Sequence, residues 1–221
     1  MIEVPVFPLP ETVLFPKVSV SLHLFEPRYR QLGDDATAGD GDLIMALLRP
    51  GWESDYDGTP PMYETATLGR IRQHERLEDG RYDLVLQGVE RVRMLPRPGS
   101  SELAPGRLYR VRAYEPAPER HPAPSHEVDD LAEGLRARWK ELLTLSALPA
   151  DVPGNDVSFE VLVNHIANMI DVPPPSKQKL LEEDELIERG ARLSAHLDNQ
   201  LQFWRQLSRY RRLKPDDPSV N

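Results

Sequence analysis

Six histidines are the first residues to test for chemistry: His23, His74, His121, His126, His165 and His196. A histidine metal site needs ligands at short, regular spacing, as in H-E-x-x-H on one helical face. None of the six forms such a pair. His121 and His126 stand in a proline-rich stretch, and His165 has Val161 and Met169 one helical turn to either side. That is the setting of a hydrogen-bonded, partly buried histidine. The absence of cysteine removes disulfides, thiolate zinc sites and cysteine nucleophiles together. The stretch "GDDATAGDGDL" (33–43) holds four aspartates and three glycines, but it lacks the spacing and closing glutamate of a calcium loop. It reads, like "ESDYDGTPP" (53–61), as a solvated loop. No metal and no cofactor is expected.

Catalysis fares no better. Neither G-x-x-x-x-G-K-[ST] nor G-x-G-x-x-G occurs, so no glycine-rich turn is ready to cradle a phosphate at a helix start. Ser19, Ser21 and His23 share a strand face, yet no acid is marked to orient the histidine, and the G-x-S-x-G elbow is missing. The reading is a non-catalytic protein. Two features suit binding instead. Trp52, Tyr56 and Tyr63 lie in or beside the connection 50–63, where aromatic side chains would act as contact anchors or fold back as a lid. The stretch "RQLSRYRRLK" (205–214) gathers Arg205, Arg209, Arg211, Arg212 and Lys214 at the end of a helical pattern. Cations there complement the helix dipole, and an anionic partner is the alternative.

These residues must be positioned by a chain of 221 residues with a formal charge of -9. Nucleic-acid affinity comes mostly from clustered Lys and Arg, so the overall charge disfavours it. No window approaches the roughly 20 apolar residues of a membrane span. The apolar start, "FPLPETVLFPKVSVSLHLFEPRYRQL" (7–32), follows Glu3 and is interrupted by Pro8, Pro10 and Pro16, which argues against an export signal. With no cysteine present, a cytoplasmic location is expected.

The first half alternates. Val18, Val20, Leu22 and Leu24 recur at period two, "DLIMALLRP" (42–50) is a buried run, and "RLYRVRAYEP" (107–116) alternates again. Asp79-Gly80 is a hairpin signal, and Gly88 marks a bulge or bend. About six short strands predict a small closed or nearly closed β-barrel. From Ser125, an N-cap, the period becomes helical through Val128, Leu131, Leu135, Trp139 and Leu142. A second helix follows Phe159, Ser176 is read as the cap of a third, and a last helix of about 28 residues runs from Asp184 to about Leu213. The fold class is α+β, with a barrel over 1–120, an α-helical bundle over 121–214 and a flexible tail over 215–221.

Three ordered blocks carry a resemblance: "FPLPETVLFPKVSVSLHLFEPRYRQL", "TLGRIRQHERLEDGRYDLVLQGVERVRML" (67–95) and "LVNHIANMIDVPPPSKQKLLEEDELIERGARL" (162–193). They resemble the Lon protease N-terminal, substrate-binding domain family, the "LHLFEPRYR" ending being most like its free-standing, single-domain branch without ATPase or peptidase domains. The second block is similar to the family's D-G hairpin and G-x-x-R strand. The third is similar to its K-Q-x-L-L-E and E-R-x-x-x-L helical signatures. Asn164 stands where the family often has an acid. The resemblance implies a PUA-like barrel followed by a helical bundle, and a role in protein quality control as a module that recognises and holds unfolded or tagged polypeptides.

On this reading the partner is a polypeptide or protein, and the contact residues are Phe25, Tyr29, Trp52, Tyr56 and Tyr63. Phe25 and Tyr29 flank the strand-to-helix turn and are core in the competing account. The alternatives are RNA or another anionic ligand on the barrel and basic helix end, or a helical adaptor or assembly module using Leu197, Leu201 and Trp204. The oligomeric state stays open between monomer and weak homo-oligomer.

Overall fold

The computed structural model describes residues 3–96, 103 and 105–213, with side chains through residue 208. The tail 215–221, Lys214 and the side chains of Arg209, Arg211 and Arg212 lie outside the described residues. The chain forms two compact units, Met1–Arg120 with Val172–Asp184 and His121–Asp171 with Glu185–Asn221.

The first unit is built on strands β1 (Val4–Leu9), β2 (Ser19–Leu24), β3 (Asp42–Leu47), β4 (Thr65–Arg76), β5 (Tyr82–Met94), β6 (Arg110–Arg112) and β7 (Tyr114–Pro116). The sheet runs β2-β5-β4-β3-β1-β6, with β7 returning to pair with β5. Because β6 and β7 are separated only by Ala113, one segment bonds β1 first and β5 next. That switch closes β1, β3, β4, β5 and β6/β7 into a ring, the expected small barrel.

β1 and β3 are parallel, which requires a crossover. β2 and helix α1 (Pro27–Ala38) supply it. Pro5 and Pro8 lie inside β1, opposite Val111 and Ala46, while Pro10 and Pro16 fall outside it. A proline removes one donor only, and its neighbours keep the ladder.

Two apolar clusters follow from strand alternation. Val4 and Val6, Ile44 and Ala46, Ala66 and Leu68, Val92 and Met94 fill the barrel interior. On the other face, Phe7, Leu43, Met45, Leu84 and Leu86 pack with Tyr29 and Leu32 of α1. Both faces use even-numbered residues of β5, so its parity must change once. The change is a register shift opposite Leu68 and Gly69, beside Gly88. There the backbone of residues 15–18 comes against the strand: Lys17 N–H donates to Gly88 O at 2.9 Å and Gly88 N–H to Val18 O at 2.8 Å. A Cβ on Gly88 would stand 2.2 Å from Phe15 O. At the D-G hairpin, Gly80 takes φ of 83°, the left-handed conformation that glycine adopts without strain.

Helix α4 (Pro174–Glu182) belongs to the first unit. Its N-cap is Pro173, with Pro174 opening the helix, so Ser176 lies in the first turn and is not the cap. Proline at the first helical position is pre-set in φ and lacks an N–H that would have no partner. Buried Gln178 donates to Thr65 O at 2.9 Å and to Glu182 Oε1 at 3.0 Å.

The second unit contains α2 (His126–Ser146), α3 (Phe159–Met169) and α5 (Leu186–Leu213), the last of 28 residues. Ser125 and Ser158 cap α2 and α3, accepting from Val128 N–H and Val161 N–H. Leu135, Trp139 and Leu142 of α2, Leu162, Val163 and Ile166 of α3, and Leu193, Leu197 and Leu201 of α5 are buried. The Trp139 indole donates to Asp151 O at 3.1 Å. Arg189, fully buried, donates to Asn164 Oδ1 at 2.9 Å, so the amide stands as the acceptor for this guanidinium.

Gly88→Ala is expected to lower stability by about 1–3 kcal/mol, because backbone rather than a flexible side chain occupies the space. A urea midpoint equal to that of the unsubstituted protein would contradict the close approach.

Candidate functional site

The expected acidic loop 33–43 is mostly helix. Asp34 and Asp35 lie on α1, where Asp34 Oδ1 accepts from the Tyr82 phenol at 2.7 Å and Asp35 Oδ2 from the Tyr109 phenol at 2.7 Å. Arg76 and Arg107 pair with the same two carboxylates. These aspartates tie α1 to β4, β5 and the approach to β6. Among the described residues no group of three or more His, Asp or Glu could hold a metal, and no helix is long and apolar enough to cross a membrane.

At the start of α1 an aromatic and guanidinium cluster takes in several of the expected contact residues. The Arg28 guanidinium lies 4.7 Å from the Tyr29 ring centre and 4.6 Å from that of Tyr56. It pairs with Glu26 at 2.8 Å and donates to Tyr56 O at 2.9 Å. The Tyr56 phenol donates to Glu26 Oε1 at 2.6 Å, and Trp52 packs edge-on against Tyr56 with centroids 5.4 Å apart. Trp52 opens a short 3-10 turn, Trp52–Asp55. The connection is thus folded back and pinned to α1, leaving Trp52 and Tyr56 half-buried.

Tyr29 is core: it is buried, packs edge-on against Phe7 at 4.6 Å and donates to Pro8 O at 3.4 Å. As part of the buried face of α1 it has little surface to offer a ligand. Phe25 is 59% exposed and stacks on His23. In the second unit Leu197 and Leu201 are buried among α2, α3 and α5, Trp204 is half-buried, and the exposed neighbour is Phe203. Helix packing explains the first two without a partner helix. Arg205, the described member of the basic run, is engaged by Glu141 through two bonds of 2.8 and 2.7 Å.

The gap bounded by Arg28, Tyr29, Tyr56 and Arg110 amounts to about 20 Å³, room for little more than a water. This cluster is a structural brace. A cleft of about 500 Å³ lies between Arg49, Met62, Tyr63, Met94, Arg110 and Arg112, within the usual size range of ligand sites. Tyr63 is half-buried there, with the Arg49 guanidinium 5.2 Å from its ring centre. Arg49 also donates to Met62 O at 3.0 Å, and Arg110 to Pro60 O at 2.7 Å.

Of the expected contact set, only Tyr63 lines this cleft. The three arginines were not anticipated. Alternation in "RLYRVRAYEP" puts Arg110 and Arg112 on a polar strand face, which normally meets solvent, yet each is 7% exposed. The available signal was two arginines at i and i+2 in a segment required to close a barrel.

The model of the ATP-dependent protease La (LON) substrate-binding domain matches residues 3–199. The chain belongs to that family. Among relatives of this Lon domain family, Lon protease 2 of Syntrophobacter fumaroxidans is 25% identical over 81% of this chain and 22% of its own length. Lon protease of Citrifermentans bemidjiense is 28% identical over 90% of this chain and 24% of its own. The chain thus spans about a quarter of these relatives or less. Among solved structures, the N-terminal domain of the Mycobacterium avium complex Lon protease superposes with a TM-score of 0.64 at 18% identity, covering 89% of this chain and 98% of that one. The Lon N-terminal domain protein of Xanthomonas campestris gives 0.62 at 23% identity, covering 88% and 98%. Both share the α+β fold, and the family match supports a substrate-recognition module.

Burial raises the phenols of Tyr29, Tyr56, Tyr82, Tyr109 and Tyr114, with Glu26 adding to the effect at Tyr56. A raised folded value means the contribution to stability is complete below the ordinary phenol value of about 10 and is lost as pH rises through the folded values. Urea midpoints are therefore expected to fall above about pH 10, with tyrosinate absorbance rising alongside unfolding. Tyr29→Phe should flatten that fall. A midpoint constant through the alkaline range would contradict the burial of these rings.

Proposed function

We propose that this chain is a non-catalytic recognition module that engages unfolded or partner polypeptides through its first unit. The observation carrying this reading is the cleft of about 500 Å³ with apolar and guanidinium lining, set in a domain of the substrate-binding family. Phe25, Trp52, Tyr56 and Tyr63 offer apolar contact area, Phe25 as an exposed ring and the others as half-buried ones. Exposed aromatics on a braced scaffold lose little entropy on binding. Tyr29 drops out of the contact set. The cysteine-free chain suits a cytoplasmic protein.

An anionic-ligand reading draws on the arginines of the cleft, against a formal charge of -9 for the chain. A helical adaptor would have to use Phe203 and the accessible part of Trp204 rather than Leu197 and Leu201.

Fluorescence anisotropy with labelled, permanently unfolded casein tests the proposal. Saturable binding in the micromolar range is expected, weakened about tenfold by a Phe25→Ser, Trp52→Ala double substitution. Absence of saturable binding would overturn the reading.

A further inference from the structure

The ring of strands leaves β2 outside it. β2 pairs with β5 on one side and, among the described residues, with no strand on the other. The bonds at its start decide which of its backbone groups are used. Lys17, at φ of 65°, opens a bulge in which Lys17 N–H donates to Gly88 O and Gly88 N–H to Val18 O. Val18 thus faces Gly88 as a hydrogen-bonded pair. Such pairs alternate along an antiparallel ladder, so Val20, Leu22 and Leu24 turn their N–H and C=O groups toward Leu86, Leu84 and Tyr82 of β5. The backbone groups of Ser19, Ser21 and His23 turn the other way, to the outer edge, and all three residues are exposed.

An open edge is a template for pairing with another chain, and proteins guard such edges with charge, proline or a bulge. The far stretch of β4 is guarded in this way. Beyond Arg70, where its pairing with β3 ends, it carries a register shift between Ile71 and Gln73 and the charged residues Arg72, Glu75 and Arg76. β2 (SVSLHL) holds no proline and no Lys, Arg, Asp or Glu. Its one titratable side chain, His23, is engaged by Asp83 at 2.6 Å. Val20 and Leu22 are half-buried and pack against the apolar cluster that includes Tyr29 and Leu32. Phe25, 59% exposed, stands just past the end of the strand.

We propose that the outer edge of β2 takes an extended, uncharged segment of polypeptide as an added strand. The N–H and C=O groups of Ser19, Ser21 and His23 bond its main chain, which every polypeptide offers whatever its sequence. Val20 and Leu22 favour apolar side chains at alternate positions of the segment, and Phe25 covers its end. The edge has no formal charge with histidine neutral, so an uncharged segment docks without stripping water from an unpaired charge. The inference rests on the polypeptide-recognition reading and adds a contact to it. An unfolded chain suits this edge better than a second copy, since its amides are open along its length and the family matched is a substrate-binding one.

The test uses the full chain and fluorescence anisotropy with two labelled probes: a short peptide alternating Thr with Val, and the same peptide N-methylated throughout. The unmethylated peptide is expected to bind at least about tenfold more tightly. Ser21→Pro removes an N–H that β5 does not use, and an edge strand tolerates proline where that nitrogen faces solvent. Its urea midpoint should stay near that of the unsubstituted protein while peptide affinity falls about tenfold. Ser21→Ala, which keeps the N–H, should change neither. Equal affinity for the two peptides overturns the inference, as does a folded Ser21→Pro protein that binds peptide undiminished. A dimer that Ser21→Pro disperses while the two peptides bind equally assigns the edge to a second copy and also overturns it. Unfolded casein bound undiminished alongside equal peptide affinities defeats this inference alone. Failure of the unsubstituted protein to bind casein defeats the reading beneath it.

Discussion

A guanidinium taken out of water costs several kcal/mol unless its donors find acceptors in the interior. Arg91 of β5, with its side chain 1% exposed, is such a group. It donates to Pro118 O at 3.2 Å, to Glu183 O at 3.0 Å and to Asp184 Oδ1 at 2.6 Å. Its own carbonyl accepts from Ala117 N–H at 2.9 Å, which extends the pairing of β5 with β7. Arg120 N–H donates to Asp184 O at 2.8 Å alongside. One buried charge thus gathers the end of the ring-closing segment and the end of α4. Those are two of the places where the chain passes to the second unit.

Ring closure has a direct consequence for binding. Since the segment after residue 109 must bond β1 and then β5, its polar face has no solvent-facing option, and Arg110 and Arg112 become buried lining of a cleft. The connection between β3 and β4 is braced just as firmly, by the stacked and hydrogen-bonded Arg28, Glu26 and Tyr56. Side chains supported in this way hold their geometry without a ligand, which is what the proposed recognition would require. Trp52 and Tyr56 lie partly on the surface because the brace holds them there.

Strands, the Ser125 cap and the long last helix were legible because each depends on local periodicity and a few punctuating residues. Ser125 caps where a serine precedes an apolar helical pattern, and Gly88 sits at the register shift. What was not legible depended on distant partners. Asp34 and Asp35 read as loop residues, yet they lie on a helix and accept hydrogen bonds from tyrosines of distant segments. The G-x-x-R, K-Q-x-L-L-E and E-R-x-x-x-L blocks identified the family, and the structure gives a reason in Gly88, Arg91, Gln178 and Arg189. Gly88 receives a close backbone approach, and the other three are buried polar groups with bonds across the fold. The residues that name the scaffold are therefore the ones that hold it together. The cleft arginines are not legible from sequence, because alternation assigns a face to a residue without saying whether closure will cover it.

The central claim is that polypeptide recognition belongs to the first unit, at the cleft and the aromatic connection beside it. Hydrogen–deuterium exchange of the full chain, alone and saturated with unfolded casein, tests this most directly. Slowed exchange is expected in 49–64, 94–95 and 108–112, with α2, α3 and α5 unchanged. Protection confined to α5, or a pattern identical with and without casein, would contradict the account.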